Sequence, residues 1–273
     1  MAIEQYLGLS VFGILVGAFG TLIGAGGGFI LAPVLLLLYP DESPLLITSI
    51  SLAVVFFNAT SGSVAYARMG RIDYRAGLLF AFAAIPGSIL GARSTAVISR
   101  DIFDGVFGIV LITVAAFLLF SSKRARPQET SPDSNLLNRR FVDREGVIYE
   151  FNYNPLWGTV LSGFIGFLSS FLGIGGGIIH VPILVRWLDF PVHIATATSQ
   201  FILMIMALTG TIVHLLSGSL SRGFPQTVAL GAGVLIGAQI GAALSGKVNE
   251  KWIVRSLAIA LGIVGSRILL LAW

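Results

Sequence analysis

Two glycine-rich runs decide the architecture of this 273-residue chain. The first is Gly24-Ala-Gly-Gly-Gly-Phe-Ile-Leu-Ala-Pro33, and the second is Gly173-Ile-Gly-Gly-Gly-Ile-Ile-His-Val-Pro182. Glycine destabilises a helix interior by about 1 kcal/mol and proline by about 3 kcal/mol, so both runs are expected to interrupt a helix. Each run lies inside a long apolar segment, 7–38 or 156–187. As one continuous helix, such a segment would be roughly 48 Å long, whereas the hydrocarbon core of a bilayer is ~30 Å thick.

Other positions repeat at the same distance along the chain. The offset stays at 148–150 residues for Thr48–Ser51 and Thr196–Ser199, Gly62 and Gly210, Gly87 and Gly237, and Gly91 and Gly241. Self-similarity at a fixed offset is the signature of an internal repeat. The sequence therefore predicts two repeats, 1–121 and 156–273, joined by a charged linker at 122–155 that holds 11 of the 30 charged residues.

The composition places the chain among integral membrane proteins. Apolar residues make up 55% and charged residues 11%, whereas a soluble domain has about 25% charged residues. Soluble enzymes, disordered regulators and fibrous proteins are excluded on this ground. With no cysteine, disulfides and Cys-ligated metal centres are also excluded. We interpret the net charge of +4 as lysine and arginine on cytoplasmic loops, not as a nucleic-acid surface.

The remaining apolar segments predict one helical span each, at about 45–67, 76–98, 102–121, 193–216, 224–246 and 252–272. The glycine-rich segments either continue across the membrane as broken helices or turn back as re-entrant hairpins. With hairpins, one side of the membrane collects 13 Lys and Arg residues and the other 4; with eight simple spans the split is 11 to 6. The positive-inside rule favours the first arrangement. We therefore expect an all-α protein with inverted repeats, about six full spans, two re-entrant hairpins and a cytoplasmic linker.

The two broken helices also predict a binding site. Irregular backbone at membrane depth occurs only where it is buried in protein or lines a wet cavity. A helix that begins there presents unpaired N–H groups and the positive end of its dipole, which together attract anions. Transporters with inverted repeats use discontinuous helices in this way. The candidate residues are Gly26, Gly27, Gly28, Gly175, Gly176 and Gly177, and the alternative is that they only allow helices to pack closely.

A cluster of polar residues follows each glycine run, and the two clusters are expected to face the same cavity. They are Thr48, Ser49, Ser51 and Asn58 in the first repeat and Thr196, Thr198, Ser199 and Gln200 in the second. His180 lies just after the second run and is a further candidate. The alternatives are local bonds from hydroxyls to helix carbonyls and a buried neutral histidine. His214 is expected near the membrane interface. With no carboxylate at membrane depth, we expect neither an enzyme nor a metal or other cofactor.

The motif Gly-x-Gly-Gly-Gly-x-x-x-x-Pro, followed by a Thr/Ser cluster in each half, resembles the TauE/SafE family of bacterial membrane permeases. The resemblance covers nearly the whole chain and supports Pro33 and Pro182 as part of the motif. It implies a secondary transporter of the bacterial inner membrane that exports sulfite, sulfoacetate or a related organosulfur anion by alternating access. Uptake or channel-like conduction of another small anion is the alternative, and coupling to protons or sodium and the oligomeric state stay open. One departure is Leu52, which stands where the second repeat has Gln200.

Overall fold

The computed structural model describes residues 3–120, 136–246 and 250–271, which form ten α-helices, one two-stranded sheet and a short 3-10 helix at Ser219–Ser221. The first half holds α1 (Ile3–Ile23), α2 (Gly28–Leu38), α3 (Pro44–Arg68), α4 (Tyr74–Ser94) and α5 (Arg100–Phe120). Strands β1 (Leu137–Val142) and β2 (Ile148–Tyr153) follow. The second half holds α6 (Pro155–Leu172), α7 (Gly177–Arg186), α8 (Val192–Leu216), α9 (Phe224–Leu244) and α10 (Glu250–Leu271).

Seven of the described helices are long and apolar enough to cross a membrane, namely α1, α3, α4, α5, α6, α8 and α9. In α10 the apolar stretch within the described residues is Leu261–Leu270. The chain is therefore a multi-pass membrane protein. The sequence predicted about six spans and two hairpins, with α1 and α6 as arms of the hairpins. The count of candidate spans differs because α1 and α6, at 21 and 18 residues, are each long enough to cross a membrane. Only the second arms, α2 and α7, are short, at 11 and 10 residues.

Both glycine runs interrupt the helix where the sequence predicts. Gly24, Gly26 and Gly27 have φ angles of 78°, 75° and 80°, and Gly173, Gly175 and Gly176 have 69°, 80° and 61°. Side-chain-bearing residues rarely adopt this left-handed region, so glycine is the residue that permits both turns. Gly27 and Gly176 are the N-cap residues of α2 and α7.

The central helices α3 and α8 pack side by side in opposite directions. A side chain at Gly62, late in α3, would lie 3.0 Å from Nε2 of Gln200, early in α8. At the other end of the contact, a side chain at Gly210 would lie 2.9 Å from Cδ1 of Leu52. Equivalent helices of the two repeats therefore run antiparallel through the middle of the molecule.

Two further pairs flank this centre, α1 with α9 and α4 with α6. Gly233 and Gly241 of α9 lie against the backbones of Ser10 and Ala18 in α1. Gly87 and Gly91 of α4 lie in the same way against Gly163 and Phe167 of α6. Small residues let helix backbones approach closely inside a membrane. Close packing between the repeats thus accounts for the repeated Gly-x-x-x-Gly motifs of α4 and α9.

The prediction of an all-α fold is wrong for the linker, where β1 and β2 form an antiparallel hairpin. Phe151 and Tyr153 in β2 are buried against Phe190 in the α7–α8 loop, and Tyr153 also contacts Phe80 of α4. Side chains alternate across a strand, so Tyr149, Phe151 and Tyr153 share one face. That alternation is a strand signal, but it is short and lies within a strongly charged segment.

Ion pairs attach the hairpin to the loop between α3 and α4. Arg139 binds Asp73 through two hydrogen bonds, Nε to Oδ2 at 3.0 Å and Nη2 to Oδ1 at 2.6 Å. Asp73 also caps α4 by accepting from the N–H groups of Arg75 and Ala76. On the hairpin turn, Asp143 lies 3.6 Å from Arg71. The hairpin therefore contacts both the α3–α4 loop and the α7–α8 loop.

The carboxylate of Asp143 also holds the hairpin turn together. Its oxygens accept hydrogen bonds from the backbone N–H groups of Glu145 and Val147 and from the Tyr149 hydroxyl. Burial raises the pKa of Asp143, but these donors and Arg71 lower it by more, so the pKa lies below the ordinary value of 3.8. A lowered carboxyl pKa contributes stability at neutral pH, which is lost as the pH falls through the folded-state pKa.

We expect Asp143→Ala to loosen the hairpin from the helices. The change leaves buried donors without an acceptor at a cost of about 1–3 kcal/mol, so trypsin should cut after Arg139, Arg140 or Arg144 about tenfold faster. Glu150→Ala is the control, because Glu150 is exposed and lies 3.5 Å from an exposed Arg140. Equal cleavage rates for the two variants would contradict this role of Asp143.

Candidate functional site

The two glycine runs meet at the centre of the molecule. A side chain at Gly28 would lie 2.7 Å from the backbone carbonyl of Ile174, and one at Gly177 would lie 2.6 Å from Cα of Ala25. Residues 24–28 and 173–177 of the two runs are all buried. Among the first-turn amides, those of Ile30, Gly177 and Ile179 bond the carbonyls of Gly27, Gly175 and Gly176. The structure thus brings the N-termini of α2 and α7 together, and it places Gly28 and Gly177 where the two backbones touch.

Two reciprocal hydrogen bonds connect these breaks to the opposite repeat. Ser51 Oγ of α3 donates to the carbonyl of Gly173 at 2.6 Å, and Ser199 Oγ of α8 donates to the carbonyl of Gly24 at 3.0 Å. Each serine therefore satisfies a carbonyl that the helix break has released. A buried backbone carbonyl without a partner is costly, and lipid offers no donor in its place.

The neighbouring hydroxyls are also occupied. Thr48 and Ser49 donate to carbonyls of their own helix, those of Leu45 and Leu46, at 3.2 and 2.8 Å. Thr198 Oγ1 accepts from the backbone N–H of Asp73 at 3.0 Å. Thr196 packs against Gly24, as Thr48 does against Gly173. In this structure Ser51, Ser199 and Thr198 thus connect the two repeats, whereas the hydroxyls of Thr48 and Ser49 bond their own helix.

An amide-rich pocket, formed by Thr21, Asn58 and Gln200, has unpaired polar atoms. Asn58 Oδ1 accepts from Thr21 Oγ1 at 3.0 Å. Nδ2 of Asn58 and both Oε1 and Nε2 of Gln200 have no hydrogen-bond partner among the residues that the structure describes. All three side chains are 0% exposed. Gly62 faces the same space, because a side chain there would lie 3.0 Å from Gln200 Nε2 and 3.1 Å from Thr21 Oγ1. We call this group the amide pocket.

Unpaired side-chain amides that are fully buried indicate a binding site. Leaving a buried donor or acceptor unsatisfied costs about 1–3 kcal/mol, and native structures keep such groups rare. The two amide nitrogens offer four N–H donors, and Gln200 adds one unpaired acceptor. None of the described hydrogen bonds or ion pairs of Asn58 and Gln200 involves a carboxylate. The amide pocket is therefore suited to an anion that also carries a proton on one oxygen.

An apolar layer lies beside the amide pocket. It consists of Val55, Ala59, Leu203 and Ala207, from α3 and α8. A side chain at Gly26 would lie 3.1 Å from Val55 Cγ1, and one at Gly175 would lie 2.8 Å from the same atom. The glycine runs thus contact an apolar surface at these two positions.

The other predicted residues lie elsewhere. His180 is buried in α7, with Nε2 3.0 Å from Ser162 Oγ of α6, so its described contact is with its own repeat. Gly27 packs on Val16 of α1, and Gly176 packs on Ser169 of α6. Pro33 and Pro182 lie inside the short helices α2 and α7. Of the predicted side chains, the structure brings Asn58 and Gln200 around one space.

The sequence pattern did not predict Thr21 as a member of the amide pocket, nor Tyr66 as its neighbour. Tyr66 donates from its hydroxyl to the backbone carbonyl of Thr21 at 2.9 Å, which fixes the end of α1 beside the amide pocket. Thr21 lies three residues before the first glycine run, and Ser170 occupies the same place before the second. This matched pair of hydroxyl residues is the feature of the sequence that could have predicted Thr21 as part of the site.

A pocket of about 540 Å³ lies away from the amide pocket, lined by Gln5, Phe12, Tyr39 and Gln226 among others. It opens between the start of α1, the end of α2 and the start of α9. Its lining is mostly apolar, and it does not include the glycine runs. Within the described parts of the chain, no group of three or more His, Asp or Glu side chains could hold a metal ion.

Broken helices, span-length apolar helices and unpaired amides at membrane depth are typical of membrane transport proteins. Comparisons with known proteins agree. Residues 9–268 match the family model described as sulfite exporter TauE/SafE. The chain is 33% identical over 267 residues to the probable membrane transporter protein YunE of Bacillus subtilis, covering 96% of each chain. It is 28% identical to a probable membrane transporter protein of Methanocaldococcus jannaschii, covering 96% of this chain and 94% of the relative.

The chain belongs to the sulfite exporter TauE/SafE family of membrane transporters. The resemblance inferred from the glycine motifs is confirmed. No solved structure matches the chain significantly.

We expect Ser51→Ala and Ser199→Ala each to destabilise the protein, because each leaves the carbonyl of a broken helix unpaired at a cost of about 1–3 kcal/mol. Thermal unfolding in detergent should show a lower midpoint for both variants. Ser94→Ala is the control, since the Ser94 hydroxyl bonds a carbonyl of its own helix on an exposed face. If all three variants unfold at the same temperature, the reciprocal hydrogen bonds do not stabilise the fold.

Proposed function

We propose that the protein is a secondary transporter that carries sulfite, sulfoacetate or a related small organosulfur anion out of the cell across the bacterial inner membrane. The observation that carries the proposal is the amide pocket, whose unpaired N–H groups have no carboxylate partner among the described residues. Charge at membrane depth is costly unless it is paired or hydrogen-bonded. Amide donors therefore suit a small anion better than a cation. The family's description as sulfite exporters supports the substrate class and the direction.

The proposed site combines polar side chains with helix N-termini. Asn58 and Gln200 would donate to the oxygens of the anion, and the Gln200 carbonyl oxygen would accept from a protonated oxygen such as that of hydrogensulfite. The N-termini of α2 and α7 each carry roughly half a positive elementary charge and lie at the same central crossing. This favourable potential acts without a permanent positive charge on any side chain at the site.

We also propose that the repeats are inverted in the membrane and that α1–α2 and α6–α7 are re-entrant pairs. Antiparallel packing of α3 on α8 supports inversion, because equivalent helices point in opposite directions. The linker hairpin contacts Asp73 before α4 and Phe190 before α8. A re-entrant α6–α7 pair puts these loops on one side of the membrane, whereas simple spans would separate them. The 13-to-4 distribution of Lys and Arg supports the same arrangement.

We further propose that the protein works by alternating access, with the apolar layer as the barrier. The apolar layer of Val55, Ala59, Leu203 and Ala207 separates the amide pocket from the other half of the α3–α8 contact. A charged anion crosses such a layer only if the helices rearrange, because the layer offers no hydrogen bond. Movement of α3 relative to α8 would therefore expose the amide pocket to one side of the membrane at a time.

Cysteine labelling tests the topology. We expect single cysteines at Val147 in the hairpin and Trp187 before α8, both exposed, to react with a membrane-impermeant reagent from the same side. A cysteine at Asp41, between α2 and α3, should react from the opposite side. Reaction of Val147→Cys and Trp187→Cys from opposite sides would contradict the re-entrant arrangement.

Flux measurements test the site. Gln200→Leu and Asn58→Met each install the residue that the other repeat carries at the equivalent position, Leu52 or Met206, so we expect both variants to fold. Hydrogen bonds to a charged partner are worth about 1.5–3 kcal/mol, so the half-saturating sulfite concentration should rise about 10- to 100-fold.

The assay uses proteoliposomes loaded with radiolabelled sulfite, under an imposed proton or sodium gradient. Gln239→Leu is the matched control, because Gln239 bonds Ser61 on the α3–α9 contact and lies outside the amide pocket. Normal sulfite flux in both Gln200→Leu and Asn58→Met would refute the site. Sulfite flux that runs only inward would refute export and favour uptake of the anion.

A further inference from the structure

A second set of unpaired polar side chains lies at the opposite end of the α3–α8 contact. Ser169 and Ser170 of α6 and His214 of α8 are each at most 1% exposed. Within the described part of the chain, Oγ of both serines and both ring nitrogens of His214 have no hydrogen-bond partner. The sequence predicted His214 near the membrane interface, and it does lie close to the end of α8, but it is buried in protein.

The internal repeat shows that this group is the counterpart of the amide pocket. Ser170 is equivalent to Thr21, and His214 is equivalent to Tyr66. A side chain at Gly210 would lie 3.1 Å from Ser170 Oγ, just as one at Gly62 would lie 3.1 Å from Thr21 Oγ1. His214 is one helical turn after Gly210, on the same face of α8. We call Ser169, Ser170 and His214 the imidazole pocket.

The two pockets lie on opposite sides of the apolar layer. The amide pocket contacts α3 near Gly62, and the imidazole pocket contacts α8 near Gly210, while Val55 and Leu203 lie between them along the antiparallel pair. Because α3 and α8 run in opposite directions, these two ends face opposite surfaces of the protein. An anion that passes from one surface to the other therefore meets one pocket and then the second.

The chemistry of the imidazole pocket also suits an oxyanion. Each serine hydroxyl can donate one hydrogen bond, and a neutral imidazole carries one N–H donor whichever tautomer is present. Ser169 lies beside the start of α7, since a side chain at Gly176 would lie 3.0 Å from Ser169 Oγ. The positive end of the α7 dipole thus reaches this pocket. None of the described hydrogen bonds or ion pairs of these three residues involves a carboxylate.

We infer that the imidazole pocket is a second binding site for the transported oxyanion, across the apolar layer from the amide pocket. This inference rests on the proposed transport of a small anion and adds a second station to the path. The two stations differ in chemistry, because Leu52 and Met206 replace Gln200 and Asn58 around the second one. Transport then passes the anion from one pocket to the other, and each pocket binds one anion independently.

Calorimetric titration of the purified full-length protein with sodium sulfite tests the inference. We expect the wild type to bind two sulfite ions per chain and His214→Tyr to bind one. Tyrosine is the residue that the first repeat carries at this position, where its hydroxyl bonds a backbone carbonyl, so the variant should fold while its donor is withdrawn from the anion. Ser170→Ala provides a second variant, with at least tenfold weaker binding at one of the two sites.

The controls separate this inference from the proposed function. Gln200→Leu should also bind one sulfite ion, and the double variant Gln200→Leu, His214→Tyr should bind none. His214→Gln keeps an N–H donor and should restore the second ion. One ion per chain in the wild type, unchanged in His214→Tyr and in Ser170→Ala, would overturn the imidazole pocket while leaving the amide pocket intact. Absence of sulfite binding in every form would overturn both.

Discussion

The fold depends on how two broken helices are tolerated inside a membrane. A helix break at this depth releases backbone groups that lipid cannot satisfy. The chain meets this constraint reciprocally, because Ser51 binds the carbonyl of Gly173 and Ser199 binds that of Gly24. Each repeat therefore completes the broken helix of the other. The close approach of the two glycine runs and the antiparallel contact of α3 with α8 follow from this exchange.

The two pockets of this duplicated chain differ because equivalent positions of the two repeats carry different residues. The amide pocket combines Thr21 and Asn58 with Gln200 of the second repeat, whereas the three residues of the imidazole pocket all come from the second repeat. A substitution in one repeat therefore alters one side of the apolar layer and leaves the other unchanged. Gln200 adds an unpaired amide to the amide pocket, whereas its counterpart Leu52 lies beside the imidazole pocket. Asn58 and Tyr66 differ from Met206 and His214 in the same way. On the proposed function, this chemical difference distinguishes the two stations that a transported anion would occupy.

Much of this arrangement could be read from the sequence, because its causes are local. Glycine followed by proline predicts each helix break, and the long apolar segments predict the spans. The count of Lys and Arg residues on each side of the membrane did not reveal that α1 and α6 are each long enough to cross it. The β-hairpin escaped detection because Phe151 and Tyr153 owe their burial to Phe190, which is distant in sequence.

The candidate site was less predictable than the fold. Asn58 and Gln200 were both singled out, but their approach depends on the register of α3 against α8. That register is set by small residues such as Gly62 and Gly210, and no local pattern encodes it. The serines were assigned to the substrate path, whereas in the structure Ser51 and Ser199 are bound to backbone carbonyls. Hydroxyl spacing alone cannot distinguish a side chain that binds backbone from one that is left unpaired.

The central claim is that unpaired side chains at the α3–α8 contact bind a small oxyanion. Anomalous X-ray diffraction at the selenium edge from crystals grown with selenite, the selenium analogue of sulfite, tests this most directly. The account predicts a selenium peak within hydrogen-bonding reach of Asn58 Nδ2 and Gln200 Nε2. Selenium peaks confined to the surface of the protein, with the amides paired to other protein groups, would contradict it.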